Sequence, residues 1–111
     1  MPARESGVSR RIIDWLNKQP NIHAVKMEGN YRRGGQPDIF SSVEGYAVLF
    51  EVKAIGKVMT TRQQAEAMKW RRAKTFVFTV YSVRDVQIII LSLRRLFKFK
   101  DEVTTSLTNA R

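Results

Sequence analysis

The chain has 111 residues, with 20 Lys and Arg against 10 Asp and Glu, for a net charge of +10. This length fits one domain and leaves no room for a second, cofactor-binding one. With no cysteine and a single histidine, His23, disulfide scaffolds, zinc fingers, thiol catalysis, iron–sulfur clusters and His-pair metal sites are excluded. The longest apolar run, Ile88 to Leu91, has four residues, far short of the roughly 20 of a membrane span. The N-terminus carries no apolar stretch of the kind a secretory signal needs. Small domains this basic usually meet a polyanion, most often nucleic acid; the alternative is solubility alone.

Residues Pro2 to Lys18 read as a helix, with Val8, Ile12, Trp15 and Leu16 on one face of a 3.6-residue period. Pro20 stops it. Glu5 lies near that apolar stripe. It either faces inward and needs a partner, or sits in the first turn, favoured by the helix dipole and exposed to water. Ile22 to Glu28 reads as a strand, with His23 an ordinary strand residue, and Gly29 to Pro37 as a loop rich in glycine and basic side chains. Asp38 to Val43 and Tyr46 to Ala54 read as two strands joined by a hairpin turn at Glu44-Gly45. Gly56 ends the second. Thr60 to Gln63 forms a capping box that opens a helix to about Ala73. Thr75 to Tyr81 is an aromatic and β-branched strand. Its two faces, Phe76, Phe78 and Val80 against Val77, Thr79 and Tyr81, both look dry. A last helix is expected from Val83 to about Leu96, with Val83, Val86, Ile90, Leu93 and Phe97 on one face. Residues 1–100 are expected to form one domain and residues 101–111 a polar, flexible tail. The element order α-β-β-β-α-β-α describes a mixed α/β or α+β domain with helices covering a small sheet.

Side chains alternate across a strand. Ala47, Leu49, Glu51 and Lys53 therefore share one face, whose far end carries two charges roughly 6.6 Å apart. Counting outward from the Glu44-Gly45 turn sets Asp38, which follows Pro37, beside the Glu51 to Lys53 segment. Two carboxylates and an ammonium at one end of a hairpin suit metal-assisted phosphodiester hydrolysis. A hard cation such as Mg²⁺ takes oxygen ligands, few of them from protein, and acidifies a bound water. A lysine beside it offsets charge on phosphate oxygens. The simpler alternative is a salt bridge at the rim of the sheet. Tyr31, Arg32 and Arg33, just before Asp38, are candidates to hold phosphates. The clusters Lys69, Arg71, Arg72, Lys74 and Arg94, Arg95, Lys98, Lys100 read equally well as helix C-terminal cations.

Gly35-Gln-Pro-Asp38, Phe50-Glu-Val-Lys53 and the Gly56 to Gln63 turn and helix start resemble the PD-(D/E)XK nuclease superfamily. Within it they resemble the virus-type replication-repair nuclease (VRR-NUC) domain, over about Glu5 to Asp85. The resemblance implies a restriction-endonuclease-like αβββαβ core with a C-terminal helix. It implies a Mg²⁺- or Mn²⁺-dependent endonuclease acting on structured or branched, Holliday-junction-like DNA. Asp38, Glu51 and the Val52 carbonyl would be metal ligands, Glu5 would assist, Lys53 would be the catalytic lysine and Gln63 an active-site residue. Lys57 and Arg62, in the segment leading to that helix, join Tyr31, Arg32 and Arg33 as candidate DNA contacts. The resemblance also implies a homodimer and an intracellular setting, in a phage or a bacterium. Gln63 has a complete structural explanation as the cap residue, so its catalytic part rests on the resemblance. A non-catalytic basic module that binds nucleic acid is the competing reading, and a basic protein-interaction domain a third.

Overall fold

A computed structural model describes residues 5–27 and 35–109. The side chains of Glu5, Ser6 and Asn109 lie outside the described residues, as do Tyr31, Arg32 and Arg33 entirely. The elements run α1 (Glu5–Asn17), β1 (Ile22–Lys26), β2 (Ile39–Val43), β3 (Tyr46–Val52), α2 (Thr61–Arg72), β4 (Phe76–Val80) and α3 (Val83–Asn109). The sheet order is β1-β2-β3-β4. The first two pairings are antiparallel and β3 with β4 is parallel. A parallel neighbour requires a crossover, and α2 supplies it. No helix among the described residues is long and apolar enough to cross a membrane.

The alternation of the strands divides the interior into two layers. Ile39, Val43, Val48, Phe50, Val52 and Val80 point to one side, where they meet Ile12 and Leu16 of α1 and Val86, Ile90, Leu93 and Phe97 of α3. Leu49 and Val77 point to the other side and meet Ala67 of α2, with Phe40, Met59 and Trp70 at the edge of that smaller cluster. Of the α1 stripe, Ile12 and Leu16 are buried, while Val8 and Trp15 pack at its margin. Asn17 latches the end of α1 to β1, its side chain accepting from the Ala24 amide at 2.8 Å and donating to the Ala24 carbonyl at 3.0 Å.

Both faces of β4 are covered within the chain, Phe76 and Phe78 on the α3 side and Val77 on the α2 side. Its dryness therefore carries no argument for a partner. The last helix differs from expectation more strongly. It does not end near Leu96 but continues to Asn109, so residues 101–109, expected as a tail, are helical. The sequence there contains no Gly or Pro to stop a helix. The β3 strand also holds it. Tyr46 stacks on Phe97 at 4.0 Å between centroids, its hydroxyl donates to Asp101 Oδ1 at 3.1 Å, and Lys100 Nζ lies 5.8 Å from the ring centroid. Desolvation and the Asp101 carboxylate both push the Tyr46 phenol above its ordinary pKa. Arg94, Arg95, Lys98 and Lys100 are accordingly mid-helix residues rather than C-terminal cations. Arg94 instead binds the Pro20 carbonyl and Glu44. Away from the core, Ile88, Leu91, Leu96, Phe99, Val103 and Leu107 of α3 remain exposed. The molecule measures 57 × 28 × 26 Å.

Candidate active site

The β2–β3 hairpin closes through Glu44 and Gly45, both at positive φ (52° and 86°), the backbone of a two-residue turn that matches strand twist. Its register pairs Val43 with Tyr46 and Ile39 with Phe50. One step further out, Asp38 faces the Glu51 to Val52 segment. The Val52 amide donates to Asp38 Oδ2 at 2.7 Å, and the Asp38 carbonyl accepts from the Met27 amide at 2.8 Å. The residue is thus fixed by strands on both sides, and the Asp38 carboxylate sits at the seam between β2 and β3.

Glu51 occupies the α2 face of β3, as the alternation requires, and is only 2% exposed. An ionised carboxylate so buried needs polar company. Gln63 Nε2 donates to Glu51 Oε1 at 2.9 Å, and Lys53 Nζ lies 3.8 Å from the same oxygen. Lys53 is held in turn by the sheet, its amide donating to the Val80 carbonyl at 2.9 Å. Gln63 serves two purposes. Its Oε1 accepts from the Thr60 amide while its own amide donates to Thr60 Oγ1, which completes the capping box. The opposite end of the same side-chain amide reaches Glu51. Asp38, Glu51, Lys53 and Gln63 are therefore brought to one end of the sheet, with Val52 between them. Lys57, on the segment between β3 and α2, and Arg62, in the first turn of α2, are both exposed. The β3–α2 segment turns at Gly56 (φ 86°), and Tyr81 Oη donates to the Lys57 carbonyl at 2.8 Å. Glu5 opens α1, but its side chain, like the Tyr31 to Arg33 loop, lies outside the described residues.

Gln36, Glu66 and Trp70, which the sequence reading did not place in the site, join this region. Gln36, in the turn before Asp38, donates through Nε2 to Glu66 Oε1 at 2.7 Å and accepts through Oε1 from Trp70 Nε1 at 3.2 Å. Both partners belong to α2. Gly35, at φ 89°, passes so close to α2 that an added Cβ would stand 2.9 Å from the Arg62 carbonyl oxygen. The available signal was the spacing of Gln63, Glu66, Ala67 and Trp70, which places four residues on one face of α2. Only Ala67 among them is an ordinary core residue.

The donors at this end of the sheet are oxygens, two of them carboxylates, which suits a hard divalent cation that keeps part of its water shell. Among the described residues there is no group of three or more His, Cys, Asp or Glu side chains that could hold a metal.

No family model matches the sequence, and no curated protein matches it. Among solved structures, a VRR_NUC domain superposes with a TM-score of 0.66 at 23% identity, covering 79% of this chain and 96% of that one. Among the described residues, the mixed four-stranded sheet with helices packed on its two faces thus has the fold of that VRR_NUC domain.

Proposed function

We propose that this chain is a metal-dependent DNA endonuclease that hydrolyses phosphodiester bonds in structured or branched DNA. The observation that carries the reading is the meeting of Asp38, Glu51, Lys53 and Gln63 at one end of a sheet whose fold is that of a nuclease-type domain. Asp38, Glu51 and the Val52 carbonyl would hold Mg²⁺ or Mn²⁺, with Glu5 assisting from α1. The ion, when bound, polarises the phosphate and acidifies a water. Lys53 supplies a fixed positive charge beside the buried Glu51, suited to offsetting charge that grows on phosphate oxygens. Gln63 holds the Glu51 carboxylate in place. Tyr31, Arg32, Arg33, Lys57 and Arg62 would grip the DNA backbone around this point, and the surplus of positive charge would draw the polyanion in.

The same reading includes a homodimer and an intracellular, phage or bacterial setting. The exposed stripe of α3 supports the dimer, with a second copy of this chain as its occupant. If two copies of α3 run antiparallel about Phe99, Leu96 meets Val103 and Arg95 comes beside the partner's Glu102. Apolar and charged residues are then matched at once, as a two-fold interface requires. Two active sites on one basic assembly suit paired cuts in a symmetric four-way junction.

Asp38→Asn and Glu51→Gln test the reading directly, since each removes an anionic ligand while preserving shape. Both are expected to abolish Mg²⁺-dependent cleavage across a panel of linear, flap, splayed and four-way DNA, with folding and DNA retention intact. Either variant cutting at near the wild-type rate refutes the assignment. Wild-type protein that retards DNA but cuts none of the panel in Mg²⁺ or Mn²⁺ is instead a binding module.

A further inference from the structure

We propose that Gln36, Glu66 and Trp70 are positioning residues: through them α2 sets the place of Asp38, as through Gln63 it sets the place of Glu51. The inference rests on the metal-site reading above and adds what holds the two carboxylates at a fixed separation. Asp38 itself is held by the Val52 and Met27 amides, and the turn that delivers it lies against α2. Pro37 has no amide to donate. Gly35 takes a φ of 89°, which glycine adopts without steric cost, and so passes close against α2. Gln36 then places both ends of its amide on that helix, 2.7 Å to Glu66 and 3.2 Å to Trp70. Gln63 lies on the same face of that helix, 2.9 Å from Glu51. A single rigid element thus touches both sides of the site, one carboxylate directly and the other through the turn that carries it. Metal sites tolerate errors of only about 0.5 Å in their ligands, and loss of such outer partners typically costs 10–100-fold in metal affinity or activity.

The bond polarity provides the test. Gln36→Glu sets a carboxylate against Glu66 and breaks the contact by repulsion. Adding Glu66→Gln reverses donor and acceptor and restores it, while Trp70 Nε1 can still donate to residue 36. The reversal also removes the Glu66–Lys69 pair (3.4 Å), whose exposed lysine makes it worth little. Mn²⁺ binding by the full chain is measured by titration calorimetry for wild type, Gln36→Glu, the double variant, Gln36→Leu and Asp38→Asn, with a thermal melt of each. Gln36→Glu is expected to weaken Mn²⁺ binding by about tenfold or more while the protein remains folded. The double variant is expected to return most of that loss. Gln36→Leu keeps the bulk without the bonds and should behave as Gln36→Glu does, which decides the matter if the charged variant fails to fold. Folded variants at position 36 that bind Mn²⁺ within twofold of wild type overturn the positioning role alone. A double variant as weak as Gln36→Glu overturns the hydrogen-bond origin of the effect. Wild-type protein with no saturable Mn²⁺ binding, or binding indifferent to Asp38→Asn, overturns the metal-site reading and this role with it.

Discussion

Lys53 is the residue whose part in the chemistry is easiest to separate from its part in the fold. Its amide completes the ladder with Val80, a backbone contact that any side chain leaves intact, and its ammonium faces Glu51. Lys53→Ala should therefore lower the cleavage rate at saturating metal and DNA by about 100-fold or more, as loss of one transition-state contact does. The dissociation constants for Mn²⁺ and DNA should move only a few-fold, a contrast that single-turnover kinetics and binding titrations reveal. A defect confined to DNA affinity, and cured by more protein, would make Lys53 a phosphate clamp. The positions of Asp38, Glu51 and Lys53 were legible in the sequence, because strand parity and a two-residue turn fix which side chains share an end of a hairpin. Gln63 was half legible: the capping box was visible, but its second bond, to Glu51, depends on how α2 docks. Gln36 could not be read as a site residue at all. Its partners lie 30 and 34 positions away, and no local pattern encodes a contact across that distance.

Among the elements, α3 shows where sequence reasoning stops short. The apolar face from Val83 to Phe97 is a plain helical stripe, and the polar composition beyond it resembled a tail. What continues the helix is partly the absence of any stop residue and partly the Tyr46 stack, a contact between residues 51 positions apart in sequence. The same continuation sets Phe99 and Val103 beside Ile88 and Leu96 on the outside of the helix. If a second copy covers this stripe, light scattering at micromolar concentration should report twice the chain mass of 12.9 kDa. Phe99→Glu, which would set two carboxylates face to face at the two-fold axis, should return the mass to that of one chain without unfolding it. A wild-type monomer, or a Phe99→Glu dimer, rules out this interface.

At the scale of the whole molecule the dominant fact is the charge of +10. If it serves to bind DNA, the logarithm of the association constant should fall linearly with the logarithm of salt, with a slope of about −0.9 for each duplex phosphate neutralised. Several contacts are expected, and Arg32→Ala should reduce the slope by about one such unit. A flat response would remove DNA as the main partner and favour protein interaction instead. Charge could be read from composition, but its distribution about the site could not, because that depends on which basic residues the folded chain leaves beside the open end of the sheet.

The parallel pairing of β3 with β4 has a further effect through the helix that joins them. An antiparallel hairpin can open by fraying from its free ends, and Asp38 and Glu51 lie at such an end. Here, however, the crossover that makes the parallel pairing possible is also the helix that contacts Glu51 and the Asp38 turn. For α2 to drift away, its contacts with Leu49 and Val77 in the core must be given up as well. The mouth of the hairpin is thereby tied into the cooperative unit of the domain, and its local opening draws on the stability of the whole sheet rather than on that of two short strands. Protection of the amides around Asp38 and Val52 against hydrogen exchange should consequently follow global unfolding, not the fraying of a strand end.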